Sequence, residues 1–185
     1  GYKAEKIKKY LGNKNKNIKI KYIYNPIYFK TNSTYSMWLA SPHFKKNILI
    51  INADTIFEKK ILSLLINSKF QNALAIDDHI NIPLPDEAMK ATINRQKRII
   101  NVSKKIPAKK TDGDAIGLYK FNNLGISFLK KELNNLVKKN NTKNLFTLAV
   151  KNILNRVNIY AVSTNKAKWI EIDDIRDLKK ARKFF

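Results

Sequence analysis

The sequence predicts an α/β domain with a mainly parallel sheet. Apolar segments of strand length alternate along the chain with segments whose apolar residues recur at helical spacing. Residues 47–53 form a nearly continuous apolar run, which is typical of a strand buried on both faces. A chain of 185 residues that is 44% hydrophobic can build one core but hardly two. We therefore expect a single domain over residues 1–185.

Three elements are predicted before the long apolar run. Residues 3–11 place apolar residues four apart among lysines, as on a short amphipathic helix. Residues 18–22 alternate apolar residues with lysines and predict a strand. Ser33 or Thr34 can then cap a short helix, because a hydroxyl side chain accepts a hydrogen bond from the first helical turn.

The rest of the chain continues the alternation of strands and helices. Spacing and apolar content predict strands at residues 73–76, 89–93, 98–102, 117–121, 157–162 and 169–172. Helical spacing predicts helices at residues 58–67, 126–138, about 144–154 and from Asp174 onward.

The net charge of +23 has two interpretations. A polyanionic partner, such as nucleic acid, would explain it. A lysine-rich, asparagine-rich and isoleucine-rich composition would also produce it, with pairs of lysines on solvated faces along the whole chain. We favour composition, because nucleic-acid-binding domains more often cluster their charge on one element.

Several kinds of protein are disfavoured by composition. The chain has no cysteine, so disulfides and thiolate sites are excluded and a reducing compartment fits. No apolar run approaches the ~20 residues that span a bilayer. No charged-then-apolar leader opens the chain. The default expectation is a cytoplasmic protein without a membrane span.

Two aspartates stand where predicted strands end. Asp54 directly follows the long apolar run, and Asp173 follows the short strand near the carboxyl terminus. In open α/β sheets, ligands bind beyond the carboxyl ends of strands. Two carboxylates there can share one Mg²⁺, an ion that takes oxygen ligands and keeps phosphates in its shell. An aspartate after a strand is also a common helix cap, which is an equal alternative for Asp54. The alternative is stronger for Asp173, because Asp174 beside it and Asp177 one turn later are typical of acids at a helix start.

The order of several motifs resembles the nucleotidyltransferases of sugar phosphates and phospho-alcohols. These include the cytidylyltransferases for phosphocholine or inositol phosphate and the domains attached to phosphoenolpyruvate mutase. The matching stretches run almost from end to end and in the family's order: residues 25–26, 31–40, 48–54, 86–90, 100–107, 113–121 and 169–173, followed by Asp177, Leu178 and Ala181.

The resemblance implies a Rossmann-like nucleotide-diphospho-sugar transferase fold with three α/β/α layers. It also implies roles for individual residues. Asp54 and Asp173 match the two Mg²⁺ ligands, and Lys104 matches a basic residue that faces the substrate phosphate. The remaining matches are Asn32 and Ser36 for the nucleotide, and Asp86 and Lys90 for the acceptor pocket.

One part of the family pattern has no counterpart in these residues. The family opens with a strand, a glycine-rich loop and a proline-lysine pair that grip the triphosphate. Here Gly1-Tyr2-Lys3 matches the residues that follow the family's second strand. We therefore expect an amino-terminally truncated fold that covers three-quarters of the family domain and does not catalyse by itself.

The implied reaction is Mg²⁺-dependent nucleotidyl transfer from a nucleoside triphosphate, with CTP favoured, to a small phosphorylated alcohol, phosphonate or sugar phosphate. Three alternatives stay open. The first is a basic nucleic-acid-binding α/β domain, and the second a metal-dependent glycosyltransferase of similar fold. The glycosyltransferase usually has a D-x-D pair, whereas residues 52–54 hold one acid. The third is a relative that regulates without catalysis.

Overall fold

The structure, a computed structural model, describes residues 1–79 and 83–185. The chain forms two compact units. The first contains Gly1–Phe44 and Leu129–Val150, and the second contains Lys45–Phe128 and Lys151–Phe185. No helix within the described ranges is both long and apolar enough to cross a membrane.

The first unit is built mainly from helices. Its hairpin of two short antiparallel strands is exposed, and α1 buries none of its residues. Asn32 caps α2 one residue earlier than expected, because its side chain accepts a hydrogen bond from the Ser33 amide. The elements that begin in this unit are α1 (Ala4–Leu11), β1 (Lys14–Asn15), β2 (Ile18–Lys19), α2 (Ser33–Ala40) and α5 (Thr147–Asn152).

The second unit carries the main sheet. Its strands are β3 (Ile48–Ile51), β4 (Thr55–Phe57), β5 (Ala73–Asp77), β6 (Lys90–Ile93), β7 (Ile99–Ser103), β8 (Gly113–Phe121), β9 (Tyr160–Ser163) and β10 (Trp169–Glu171). The helices that begin in it are α3 (Lys59–Asn67), α4 (Asn123–Lys138) and α6 (Ile175–Phe184). Strand β4 was not expected, because three residues are too few to show a periodic pattern.

The main sheet is mixed rather than mainly parallel. Its order is β7-β6-β8-β5-β9, and β3 also pairs with β8. Among the described residues, only β5 and β9 pair in parallel. The expectation failed because burial on both faces does not set strand direction. The tight turn at Asn94, whose side chain accepts from the Gln96 and Arg98 amides, forces β6 and β7 to be antiparallel.

The core of the second unit lies between α3 and the sheet. Ile61 and Leu65 of α3 pack with Ala73, Ala75 and Leu118 of the central strands. Each of these large side chains contributes about 1.5–3 kcal/mol by leaving water. Because β5 is buried in this core, the position of Asp77 at its carboxyl end is fixed as well.

Strand β3 differs from the expected strand buried on both faces. Ile50 is buried, but Leu49 and Ile51 are about two-fifths exposed. The uniform apolar run therefore hides an alternation between a core face and an open face.

Candidate active site

Asp54 and Asp173 lie at the same end of the small sheet formed by β4 and β10. These strands pair antiparallel, with Glu171 opposite Thr55. The pairing continues one residue further, because the Ile172 amide donates to the Asp54 carbonyl oxygen at 2.8 Å. Two acids separated by more than a hundred positions in sequence therefore flank one backbone hydrogen bond.

The path of the backbone segment that leads to Asp54 depends on Gly117. The Asn52 amide donates to the Gly117 carbonyl oxygen at 3.0 Å, and Gly117 has a φ of 80°. A Cβ at Gly117 would lie 2.6 Å from Cγ of Asn52. A side chain at position 117 would therefore be strained in its backbone and would push the segment that leads to Asp54.

Glu171 is a third carboxylate at this end of the sheet. Burial raises the pKa of Glu171, and the charges of Asp54 and Asp173 raise it further, while Lys104 lowers it. Three acids and one ammonium group therefore act on one another. Sequence reasoning assigned no role to Glu171. Its position two residues before Asp173 on an extended segment was the available signal.

A second row of charged residues crosses the main sheet. Asp114 on β8 is the direct neighbour of Asp77 on β5 and of Lys90 on β6. Directly paired residues project to the same face of a sheet, so these three side chains share a face. Trp169 joins the row, because its indole Nε1 donates to Asp77 Oδ2 at 2.8 Å.

Asp114 is the most perturbed acid in this row. Its pKa is raised to about 6, first by burial and then by the charges of Glu171 and Asp77. Lys90 and a hydrogen bond from the Met89 amide oppose the rise. Glu171 thus links the row to Asp54 and Asp173. Sequence reasoning assigned no chemical role to Asp114, although it lies in the motif at residues 113–121, or to Asp77, which it treated only as the end of a predicted strand.

Lys104 and Lys90 have different environments. Lys104 is exposed and its charge acts on Glu171. The side chain of Lys90 is only 1% exposed. Its Nζ donates to the carbonyl oxygens of Asp86 and Lys104 at 3.0 and 3.1 Å. The structure therefore brings together three predicted residues, Lys104, Lys90 and Asp86.

Asn32 and Ser36 belong to the first unit. The side chain of Asn32 caps α2, and Ser36 Oγ accepts from Asn25 Nδ2 at 3.0 Å. Asn32 also borders a cavity of about 460 Å³ that Phe29, Lys30, Thr31 and Lys143 complete. Both predicted nucleotide contacts therefore have structural hydrogen bonds of their own, and Asn32 also faces a space of ligand size.

The acids fit Mg²⁺ in the chemistry of their donor atoms. Carboxylate oxygens are the ligands that this ion prefers, and one or two carboxylates commonly suffice when substrate phosphates supply the rest. No group of three or more potential ligands within residues 1–79 and 83–185 is arranged to enclose a metal by itself.

The chain has no match among protein-family models or among curated proteins. Solved structures do match it. Inositol-1-phosphate CTP transferase from T. maritima superposes with a TM-score of 0.64 at 18% identity, over 83% of this chain and 60% of that one. CTP:phosphocholine cytidylyltransferase from Streptococcus pneumoniae gives a TM-score of 0.71 at 12% identity, over 97% of this chain and 72% of that one. A putative glucose-1-phosphate thymidylyltransferase from Bacillus anthracis gives a TM-score of 0.74 at 17% identity, over 98% of this chain and 71% of that one.

These likenesses bear on the fold. The identities are low, and the chain spans about 60% of the length of the T. maritima protein. The three superpositions nevertheless cover most of this chain, and all three proteins carry names of nucleotidyltransferases. The chain has the Rossmann-like α/β fold that solved nucleotidyltransferases share.

Proposed function

We propose that these residues form the metal and acceptor side of an Mg²⁺-dependent nucleotidyltransferase. The enzyme would transfer a nucleotidyl group, most simply from CTP, to a small phosphorylated alcohol, phosphonate or sugar phosphate, and release pyrophosphate. The observation that carries the proposal is that Asp54 and Asp173 lie at the same end of the β4–β10 pair, where their charges and that of Lys104 act on Glu171. Two structural neighbours are named as CTP transferases for inositol-1-phosphate and phosphocholine, which supports the choice of substrates.

The proposed chemistry is an in-line displacement at phosphorus. An oxygen of the acceptor's phosphate attacks the α-phosphorus of the triphosphate, and the bond to the pyrophosphate oxygen breaks. The acceptor phosphate is already an anionic nucleophile, so the reaction needs no strong general base. Catalysis then depends on holding the two substrates together and on neutralising their charges.

Each predicted residue has a role in this scheme. Asp54 and Asp173 would hold Mg²⁺, which when bound supplies positive charge that polarises the α-phosphate. Lys104 would stabilise negative charge on the acceptor phosphate. Asp86 and Lys90 belong to the acceptor side, while Asn32 and Ser36 would contact the nucleotide.

These 185 residues contain no glycine-rich segment that could cradle a triphosphate through successive backbone amides. We therefore expect the 185-residue chain to bind the metal and a phosphorylated acceptor without sustained turnover. A pyrophosphate-release assay with CTP, Mg²⁺ and phosphocholine checks this. Sustained release would contradict the expected inactivity, and it would support nucleotidyl transfer itself.

Metal binding is the sharpest test of the proposed site. Titration with Mn²⁺, a paramagnetic ion that also accepts oxygen ligands, should broaden the amide NMR signals of residues 54 and 171–173 first. Asp54→Asn and Asp173→Asn should each weaken this effect at least about tenfold, because each removes a charged ligand. The control Glu5→Gln removes an exposed carboxylate on α1 and should leave the titration unchanged. Equal broadening in Asp54→Asn and the wild type would refute the metal site.

A second candidate function is binding of single-stranded nucleic acid by the first unit. This unit has fourteen lysines, no arginine and only two glutamates, whereas the second unit holds the other twelve acids. Tyr2, Tyr28 and Phe29 are exposed and lie close to one another, and lysines lie over the Tyr2 and Phe29 rings. Exposed rings for base stacking beside positive charge are typical of single-strand binding.

The salt dependence of binding tests this candidate. Fluorescence anisotropy with a labelled single-stranded oligonucleotide should give an affinity that falls at least about tenfold between 50 and 200 mM salt. Phe29→Ala should weaken binding at both salt concentrations, because a stacked base loses its partner. An affinity too weak to measure at 50 mM salt would exclude this function.

A further inference from the structure

Lys90 is a lysine that the fold removes almost completely from water. It is the first residue of β6 and is among the largest fully buried side chains. Taking an ammonium group out of water is costly unless hydrogen bonds and an opposite charge compensate it. The compensation comes from two carbonyl oxygens and from Asp114, its neighbour on β8, whose pKa the Lys90 charge lowers.

The two carbonyl oxygens belong to different segments. Asp86 precedes β6, and Lys104 follows β7, fourteen residues after Lys90. Lys90 also pairs through its backbone with Ser103. The ammonium group therefore connects the segment before β6 to Lys104, the residue that directly follows β7. Hydrogen bonds from a charged donor are about twice as strong as neutral ones.

The segment that receives this contact is a turn that carries Lys104. Ser103 Oγ accepts from the Lys105 amide at 3.1 Å, and the Ile106 amide donates to the Ser103 carbonyl oxygen at 3.4 Å. The side chain of Lys104 is exposed and has a flexible four-carbon stem. The region its ammonium group can reach is therefore set by where its backbone is held.

We propose that Lys90 is a positioning residue that acts through Lys104. Its buried ammonium group fixes the Lys104 carbonyl against the Asp86 carbonyl, and so sets the point at which the Lys104 side chain leaves the backbone. Lys90 itself does not touch the substrate. The role of Lys104 in binding a phosphorylated acceptor rests on the proposed function. The contact by which Lys90 holds the Asp86 and Lys104 carbonyls together, called the clamp below, stands on the geometry alone.

The central variant is Lys90→Met, whose unbranched side chain is one atom shorter than that of lysine and carries no charge. Removing one partner of a buried charge pair is destabilising, because Asp114 and the two carbonyl oxygens lose their donor, so the variant should fold with lower stability than the wild type. Lys90→Arg keeps the charge with a different geometry and serves as the conservative variant. Lys105→Met is the matched control, because Lys105 is an exposed lysine next to Lys104.

Hydrogen exchange tests the clamp without reference to any ligand. In Lys90→Met, the exchange rates of the amides of residues 104–106 should rise at least about tenfold more than those of the β5 amides, which report any global loss of stability. Lys90→Arg should recover part of the protection, and Lys105→Met should leave it unchanged. Unchanged exchange at residues 104–106 in Lys90→Met would overturn the clamp. Should Lys90→Met not fold, the same comparison is made with Lys90→Arg, in which the altered donor geometry should also raise exchange.

A double-mutant cycle tests whether Lys90 acts through Lys104. The probe is phosphocholine, with its affinity measured by NMR titration in the presence of Mg²⁺. Lys90→Met and Lys104→Met should each weaken binding about tenfold. The double variant should bind no more weakly than Lys104→Met, because Lys90 has nothing left to position. Additive losses would mean that Lys90 contacts the ligand or supports the site generally, and would overturn the proposal.

The two experiments separate the failure of each idea. A wild-type chain that does not bind phosphocholine in the presence of Mg²⁺ would count against the proposed function. Faster exchange in Lys90→Met would still support the clamp in that case. Binding that Lys90→Met leaves intact would overturn the positioning role while leaving the proposed function in place.

Discussion

At the scale of single residues, Asp114 shows how a sheet can perturb a carboxyl group. Its neighbours in the pairing are an acid on one side and a buried lysine on the other, and Glu171 acts on it as well. Burial and two negative charges outweigh the single positive charge, so its pKa rises to about 6. Sequence alone could not predict this, because residues 77, 90, 114 and 171 meet only after four strands are in place.

The raised pKa of Asp114 makes a prediction about stability and pH. The folded pKa is about 6 and the value without the fold is 3.8, so the folded chain binds more protons between these values. The stabilisation from the protonated form is complete below pH 3.8 and is lost as the pH rises towards 6. Asp114→Asn removes this dependence. Between pH 4 and pH 6.5, the variant should gain stability over the wild type by up to about 3 kcal/mol.

Urea unfolding of both proteins at the two pH values measures this gain. Glu5→Gln provides the control for losing one negative charge from a strongly basic chain. A stability difference between Asp114→Asn and the wild type that is the same at both pH values would contradict the assigned environment.

At the scale of elements, β3 is the strand whose sequence and environment disagree. Within the described ranges, β3 pairs with β8 alone, and the open face carries Leu49 and Ile51. An apolar strand with a free edge is a template for pairing with another strand.

The helix starts agree better with the sequence. Asp174 caps α6 as an acid at a helix start should, which leaves Asp173 outside the cap.

The open edge of β3 predicts self-association. Leu49→Glu places a charge on the open face opposite Lys120, its partner on β8, so the strand itself should tolerate it. Sedimentation velocity over a range of concentrations should show less association in this variant than in the wild type, because a charged edge resists pairing. Ile66→Glu is the matched control, since Ile66 is similarly exposed but lies on α3. An equal reduction in both variants would mean that net charge, rather than the β3 edge, controls association.

At the scale of the whole molecule, the two units differ in the distribution of their charges. Lysine and arginine taken together are about equally frequent in both, which fits a compositional origin of the positive charge. The acids are unequally distributed, with twelve of fourteen in the second unit, where five of them act on one another through Glu171 and Asp114. The functional information in the charge therefore lies in where the negative residues are, and not in the net value.

The sequence by itself determined the α/β class and most strands and helices, because periodicity and strand ends are local properties of the chain. It also predicted Asp54 and Asp173 as candidate metal ligands from their places at strand ends. Only the tertiary structure decided which strands run antiparallel, that Glu171, Asp77 and Asp114 belong with those acids, and that Lys90 is buried. The physical reason is that a hydrogen-bonded register and a buried charge depend on pairing between distant segments. No single segment contains that information.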